Sequence, residues 1–382
     1  MEPITHFLTG ACIGRAGLNR KTAYATLVAV LTAEAGDLDV IWGFGGPVEE
    51  LKHHRGITHT FIAVPVVAAA TVGLVWLYDR WATARRLRKA NLLAQNAEAP
   101  SRPAPQKVHW RWLYLTALLS ALSHLLLDWT NTYGLRPFFP FNPRWYVGGF
   151  VFIVEPVFWV LLGSAFVIPA LLGLVGGEIG SRKPAFHGRG WAIFALIGMV
   201  LLWGWRWSEQ GRARMLVENE QVASAPVKRM AMEPYPIDPF HWHAILETDG
   251  FFQTAEVETR TGEITTDPSQ DVIFKPSSTA ATEAAKRTFL GQVYLDWGSW
   301  AVVRDVGAVP IPGNVQGLDP PRLPPGRQWT TVEFTDLRFQ YTVLGMRRAT
   351  PGSSDRSPLS GWVYIVDGRD DAGEVMNGRV QR

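Results

Sequence analysis

The residue types and spacing that could do chemistry lie in the first 160 positions. In Ser123-His124-Leu125-Leu126-Leu127-Asp128-Trp129, His124 and Asp128 are four apart, so one helical face presents both. An imidazole nitrogen beside a carboxylate oxygen is a bidentate clamp for zinc or a similar ion. His54-Arg55-Gly56-Ile57-Thr58-His59 holds two histidines five apart, which is poor for one helix face. The Gly56 break predicts His54 on a loop and His59 in the first turn of the next helix. Asp37-Leu38-Asp39 follows an apolar helix, where a non-helical turn can aim both carboxylates inward. Thr5-His6 and Glu155, at the head of a later apolar run, complete the set. The candidate ligands are therefore His6, Asp37, Asp39, His54, His59, His124, Asp128 and Glu155. Oxygen and imidazole donors without sulfur suit zinc first, then Mn, Fe or Ni, and more than one ion is allowed.

Such a site makes a hydrolase. A bound ion lowers the pKa of a water and polarises a phosphoryl or acyl group. A non-ligating carboxylate, Asp37 or Glu155, is then the expected general base. Arg55 is a partner for a substrate phosphate or for a site carboxylate. Single residues also have plainer readings. A lone histidine at a membrane face is usually a hydrogen-bonded interfacial residue, and a lone Asp at a helix end is usually a cap. Ionisable groups at the edges of apolar spans are nonetheless costly and often functional, and here several arrive together. Glu34 reads as a satisfied core acid, with a base or supporting acceptor as the other reading. His53 reads as exposed. His241 and His243 share one strand face with no partner nearby and read as ordinary strand residues. Cys12 stands alone, so there is no disulfide framework and no cysteine zinc site.

The elements that must position these residues are membrane helices. Runs near 57–78, 112–129, 150–175 and 190–207 are long and apolar enough to span a bilayer. Trp76, Tyr78, Trp110, Trp112, Trp129, Trp205 and Trp207 sit at their ends, as interfacial belts require. Residues 3–17 and 22–35 are shorter and predict a helical hairpin turned at Leu18-Asn19-Arg20-Lys21. The opening Met1-Glu2-Pro3 lacks a basic segment and reads as retained rather than as a signal peptide. Basic residues crowd 79–111 (Arg80, Arg85, Arg86, Arg88, Lys89, Arg102, Lys107, Arg111) and 177–189 (Arg182, Lys183, Arg189). The positive-inside rule puts these loops in the cytoplasm, which places the candidate ligands and the C-terminal part on the outer, periplasmic side. His109 and His187 fall on the other side. The net charge of +3 is small for 382 residues and gives no reason to expect nucleic acid.

The fold class expected is mainly α: a polytopic membrane helical bundle over 1–207, a polar linker over 208–235, and a soluble α+β domain over 236–382. Residues 243–247 and 251–259 alternate around Thr248-Asp249-Gly250, a hairpin signal. Residues 279–295 read as one amphipathic helix, 299–306, 330–344 and 361–367 as strands, and 308–327 as a Pro/Gly-rich loop. Residues 136–149, aromatic and proline-rich, read as an interfacial loop or as a lip that admits lipid-like substrate.

At His54–His59, Asp37–Asp39, His124–Asp128 and Asn131-Thr132-Tyr133-Gly134 the sequence resembles the YdjM-like family of bacterial inner-membrane proteins, taken for metal-dependent hydrolases. The resemblance covers about 1–165 and includes Thr5-His6 and Glu155-Pro156-Val157-Phe158-Trp159. Gly36 stands where a proline often precedes the first Asp, and Glu155 where Asp is usual. The stretch from Pro234 to His243 looks like the C-terminal part of longer members. The chain is also distantly similar to zinc-dependent phospholipase C and single-strand nuclease folds. The resemblance implies a multi-pass inner-membrane protein that hydrolyses a phosphoester or lipid-like substrate, with membrane lipid as its surroundings. The alternative is a non-enzymatic, metal-containing membrane scaffold whose C-terminal domain binds a protein partner. A metal transporter would need ligands deep in the spans, and only His124 approaches that depth.

Overall fold

The apolar runs fold as helices in the computed structural model, which describes residues 1–94, 106–178, 188–311, 320–340 and 358–381. Helix α1 (Pro3–Arg15) starts under the Glu2 carboxylate, which accepts from the Thr5 backbone N–H at 3.1 Å, with Pro3 in the first turn. A 3-10 turn, Leu18–Arg20, returns the chain into α2 (Ala25–Glu34). The two arms approach closely because Gly14 has no side chain: a Cβ there would lie 2.5 Å from Thr26 Cα. This is the expected hairpin. Its helices have 13 and 10 residues, too few to cross a bilayer alone. They nest among the longer helices instead, α1 against α5, α6 and α7.

A 3-10 run (Ala35–Gly45), α3 (Pro47–His53) and a short 3-10 turn (Ile57–His59) follow. Then come α4 (Ala63–Ala94), α5 (Trp110–Thr130), α6 (Pro156–Glu178) and α7 (Arg189–Glu220). Within them Ala63–Lys89, Trp110–Thr130, Pro156–Gly173 and Arg189–Glu220 are long and apolar enough to cross a membrane. Two of these helices start about six residues later than the apolar runs suggested. Residues 57–62 and 150–155 lie outside the α-helices instead, 57–59 as a 3-10 turn, and they carry His59 and Glu155.

The segment expected to be a linker is largely structured. α7 continues to Glu220, with Glu209, Ala213 and Val217 buried at four-residue spacing. Strand β1 (Arg229–Pro234) begins a five-stranded antiparallel sheet with β2 (His241–Glu247), β3 (Phe251–Glu258), β4 (Glu263–Thr265) and β5 (Val272–Phe274). The expected hairpin is β2–β3, with His241 opposite Glu258 and Ile245 opposite Thr254. The single helix expected over 279–295 is two, α8 (Ala280–Arg287) and α9 (Phe289–Trp297). Thr288 breaks it by adopting an extended conformation and capping α9 at the Gly291 N–H. A second antiparallel sheet runs β6 (Ala301–Asp305), β7 (Trp329–Asp336), β8 (Gly361–Val366), β9 (Asp370–Met376) and β10 (Arg379–Val380) in spatial order 10-9-8-7-6. β7 ends at Asp336 in a 3-10 turn. Residues 341–344 of that expected strand lie outside the described residues, as do part of the 308–327 loop, Arg102, Arg182, Lys183 and His187.

Both sheets are seated on the helical half. Met232, Trp242, Ala244 and Val257 of the first sheet share a core with Phe158, Ala195 and Val217. Val48, Leu51 and Tyr133 share one with Tyr294, Trp297, Phe334 and Val363. Arg338, buried after β7, donates to the Thr132 carbonyl at 2.9 Å, and Arg136 pairs with Asp296 at 3.0 Å. The loop after α5 is thus gripped by the C-terminal region.

Candidate metal centre

Four side chains from three segments converge. Asp37 leaves the 3-10 run after α2, His59 ends the 3-10 turn before α4, and His124 and Asp128 lie one turn apart on α5. Their ligand-type atoms all fall within 4.8 Å of one another. His59 Nε2 is 3.0 Å from His124 Nε2, 3.1 Å from Asp128 Oδ2 and 3.5 Å from Asp37 Oδ1. His124 Nε2 is 3.4 Å from Asp128 Oδ2 and 3.8 Å from Asp37 Oδ1. His59, His124 and Asp128 are buried, and Asp37 is partly exposed.

The back of each imidazole is held, which fixes its front. His124 Nδ1–H donates to the Ala33 carbonyl at 2.7 Å. His59 Nδ1 is 3.0 Å from Thr58 Oγ1, which donates to Asp39 Oδ2, and 3.4 Å from that oxygen itself. Carboxylate and carbonyl partners of this kind hold metal-ligating histidines in one tautomer. Both Nε2 atoms then present lone pairs to each other, an arrangement that calls for a cation between them. Asp128 Oδ2 and Asp37 Oδ2 are buried without hydrogen-bond partners. The spacing is also right: tetrahedral zinc with Zn–N of roughly 2.0–2.1 Å has ligand edges of about 3.3 Å. The donor set fits a divalent ion.

His6 faces the other side of the same carboxylates. Its Nε2 is 3.5 Å from Asp128 Oδ1 and 4.0 Å from Asp37 Oδ2, and both its ring nitrogens are buried without a hydrogen-bond partner. Its ring lies 4.0 Å from that of His124. Asp39 and His54 stand behind the group. Asp39 accepts from the Arg55 backbone N–H at 2.8 Å and lies 3.1 Å from His54 Nδ1. Burial pushes the Asp37 carboxyl up, but contact with His59 and the nearness of His124 and His6 outweigh it, leaving Asp37 below the usual carboxylate range. Burial likewise disfavours the His59 cation, yet Asp128 and Asp37 outweigh it and raise its pKa.

Arg55 resolves toward the carboxylate reading. Its Nη2 pairs with Asp128 Oδ1 at 2.8 Å, its Nη1 donates to Asn131 Oδ1 and the Gly134 carbonyl, and its guanidinium lies 4.7 Å over the Tyr133 ring. The Met1 amino group also contacts Asp128. Glu155 is not brought into the group. Its Oε2 accepts from Arg206 Nη2 at 2.7 Å, and its Oε1 accepts from the Ile237 and Val157 N–H groups. Glu34 keeps one carboxylate oxygen buried without a hydrogen-bond partner, contrary to the reading of a satisfied core acid. His53 stacks on Trp42 with ring centroids 4.0 Å apart.

Sequence reasoning missed Arg206, although a basic residue in the last apolar run is the signal that marks a buried pair. It marked Gly36 only as a departure from the family pattern and missed its contact with the site: a Cβ there would stand 2.2 Å from His124 Nε2, so only glycine lets the chain pass. It also missed acidic company for His241 and His243, because pairing across β3 is invisible in the linear order. Glu256 lies 3.5 Å from His241 and 2.7 Å from His243, and Asp238, His241 and Glu258 gather at the surface.

A cavity of about 490 Å³ adjoins the centre, lined by Asp37 and His54 and by residues of the second sheet.

The family model described as YdjM inner membrane protein matches residues 1–213, more than half of the 382-residue chain. "Uncharacterized protein YfhP" of Bacillus subtilis (strain 168) is 22% identical over 168 residues, which is 42% of this chain and 43% of that protein. The chain thus spans under half the length of that curated relative. No solved structure matches.

Proposed function

The chain belongs to the YdjM inner membrane protein family, and from that premise we propose that it is a membrane-bound metal-dependent hydrolase acting on a phosphoester or lipid-like substrate. The observation that carries this reading is the pair of imidazoles held from behind, with Nε2 lone pairs facing each other beside two carboxylates. His59, His124, Asp128 and Asp37 would hold the ion, zinc by preference, and His6 would serve a second position on the far carboxylate oxygens. When bound, the ion supplies an activated water and an electrophile for the scissile group. The chain's own residues do the rest. Ala33, Thr58 and Asp39 fix the imidazole tautomers. Arg55 pairs with Asp128 and orients it, and so acts on the substrate only through that carboxylate. Glu34, three residues before Asp37 and with an unpartnered oxygen, is a better general base in this reading than Glu155, whose oxygens are all engaged. The clustering of Lys and Arg in the opposite loops supports a site on the outer, periplasmic face.

The test is metal analysis of detergent-purified wild type beside His59→Ala and His124→Ala, followed by hydrolysis assays on phospholipids and soluble phosphodiesters. Stoichiometric metal lost in both variants, with turnover in wild type alone, is the expected result. Equal metal in all three sinks the assignment. Metal retained by a protein inert on every substrate would favour the scaffold.

A further inference from the structure

The cavity beside the centre has two walls from different parts of the chain. Asp37, Val40, Leu51 and His54 come from the segment that builds the metal group, whereas Met376 and Arg379 come from the second sheet and Leu359 from the turn before β8. At about 490 Å³ it lies within the roughly 300–1,000 Å³ range of small-molecule pockets. Its lining is mainly apolar; Arg379 is the one Lys or Arg side chain among the described lining residues, which also include the Asp37 and Glu50 carboxylates and Met1, whose amino group is turned to Asp128. Arg379 opens β10 directly after the β9–β10 turn, donating to Glu50 Oε2 at 3.2 Å and to the Gly43 carbonyl at 3.1 Å. A guanidinium has five N–H donors, so three remain for a ligand. Gln381 reinforces the turn, donating to the Gly45 carbonyl at 2.9 Å and accepting from the Val48 N–H at 2.9 Å.

The cavity also borders an apolar face. Val40 belongs to the 3-10 run whose Leu38, Ile41, Trp42 and Phe44 are exposed, Phe44 at 91%. A run of bare apolar side chains next to membrane helices is a surface for lipid tails rather than for water.

We propose that this cavity binds an anionic amphiphile, its tail among Val40, Leu51, Leu359 and Met376 and its anionic head between Arg379 and the His/Asp group. This rests on the metal reading for the second half of the head's charge balance. The C-terminal region thereby supplies a specificity residue, and the sheet is part of the substrate site rather than an appendage. A lone guanidinium partly neutralised by Glu50 presents a planar N–H fork that matches an anion with two or more acceptor oxygens, which a phosphomonoester or phosphodiester provides.

The experiment measures equilibrium binding of tail-labelled lysophosphatidate to the full chain in phosphatidylcholine nanodiscs, above empty nanodiscs. Monoacylglycerol with the same tail is the neutral comparison, and glycerol 3-phosphate competes as the head alone. Wild type is expected to prefer lysophosphatidate over monoacylglycerol by about tenfold or more, the scale of one charge-assisted contact. Arg379→Gln should abolish that preference without weakening monoacylglycerol binding. Glu50→Gln removes the clamp partner but keeps the cation, so it should preserve or sharpen the preference. Unchanged preference in Arg379→Gln overturns the proposal. So does equal loss in Glu50→Gln, which would make Arg379 a clamp only, and so does glycerol 3-phosphate competing as strongly as the amphiphile. Metal is assayed on the same samples. A preference that depends on Arg379 in protein without metal would refute the metal centre and support this binding site.

Discussion

His59 and His124 meet Nε2 to Nε2 at 3.0 Å, each with its Nδ1 held elsewhere, His124 by the Ala33 carbonyl and His59 by Thr58 and Asp39. Two neutral imidazoles so held repel unless a proton or a metal ion lies between them. Asp39 is the remote control on this contact, because it orients Thr58 and the Nδ1 face without belonging to the four-ligand group. Asp39→Asn is therefore expected to weaken zinc binding by about 10–100-fold while the four ligands stay in place. Chelator competition on the purified protein reads this directly, and an unchanged affinity would detach Asp39 from the site.

Gly36→Ala probes the same pair from the other side. The added Cβ would stand 2.2 Å from His124 Nε2, so the imidazole or the 3-10 run must move. Metal content should fall sharply although no ligand has been changed. Gly204→Ala on α7 meets nothing within 4 Å and serves as the comparison, with metal unchanged and helix stability equal or slightly higher. Full metal in Gly36→Ala would mean that His124 does not sit where this geometry puts it.

How much of this was legible in the sequence follows from which interactions are local. His124 and Asp128 share a helix face, so their spacing announced them, and the hydropathy runs announced the four long helices. The hairpin of α1 and α2 was legible from a polar, basic turn between two apolar arms. Glu155 reads as a candidate ligand in the sequence because a carboxylate at the head of a span looks alike whether it meets a metal or an arginine, and in the structure it meets an arginine. Its partner Arg206 lies 51 positions away. The continuation of α7 past 207 was hidden for a different reason: hydropathy drops there, while burial persists on one stripe only, at Glu209, Ala213 and Val217. The seating of both sheets on the bundle rests on contacts such as Arg338 to Thr132, 206 residues apart, which no periodicity encodes.

Glu155 and Arg206 form a buried pair that also ties α6 and α7 to the Tyr235–Ile237 backbone, since Arg206 donates to the Tyr235 carbonyl and Glu155 accepts from Ile237. Arg206→Met strands the Glu155 carboxylate in a buried site and should cost about 3–5 kcal/mol in detergent unfolding. Adding Glu155→Gln should recover much of that loss, the mark of a coupled pair. Bound metal should be the same in Glu155→Gln as in wild type. Loss of metal in that variant would return Glu155 to the ligand set.

Glu233 on β1 supplies a pH dependence that belongs to the sheet region alone. It is buried, its Oε2 lacks a hydrogen-bond partner, and burial pushes its carboxyl up from 4.5 to about 8, against the pull of nearby Arg338. In the folded state it keeps its proton up to about pH 8, whereas the unfolded chain releases it above about pH 4.5. The unfolded state therefore binds fewer protons across that window, and stability falls as pH rises through it. Thermal unfolding of the wild type, followed by tryptophan fluorescence, should show a midpoint that drops from pH 5 toward pH 8. Glu233→Gln keeps the shape and removes the titration, so its midpoint should stay flatter over the same range and exceed that of the wild type at the alkaline end. Parallel pH profiles for the two proteins would mean that Glu233 is not the group responsible.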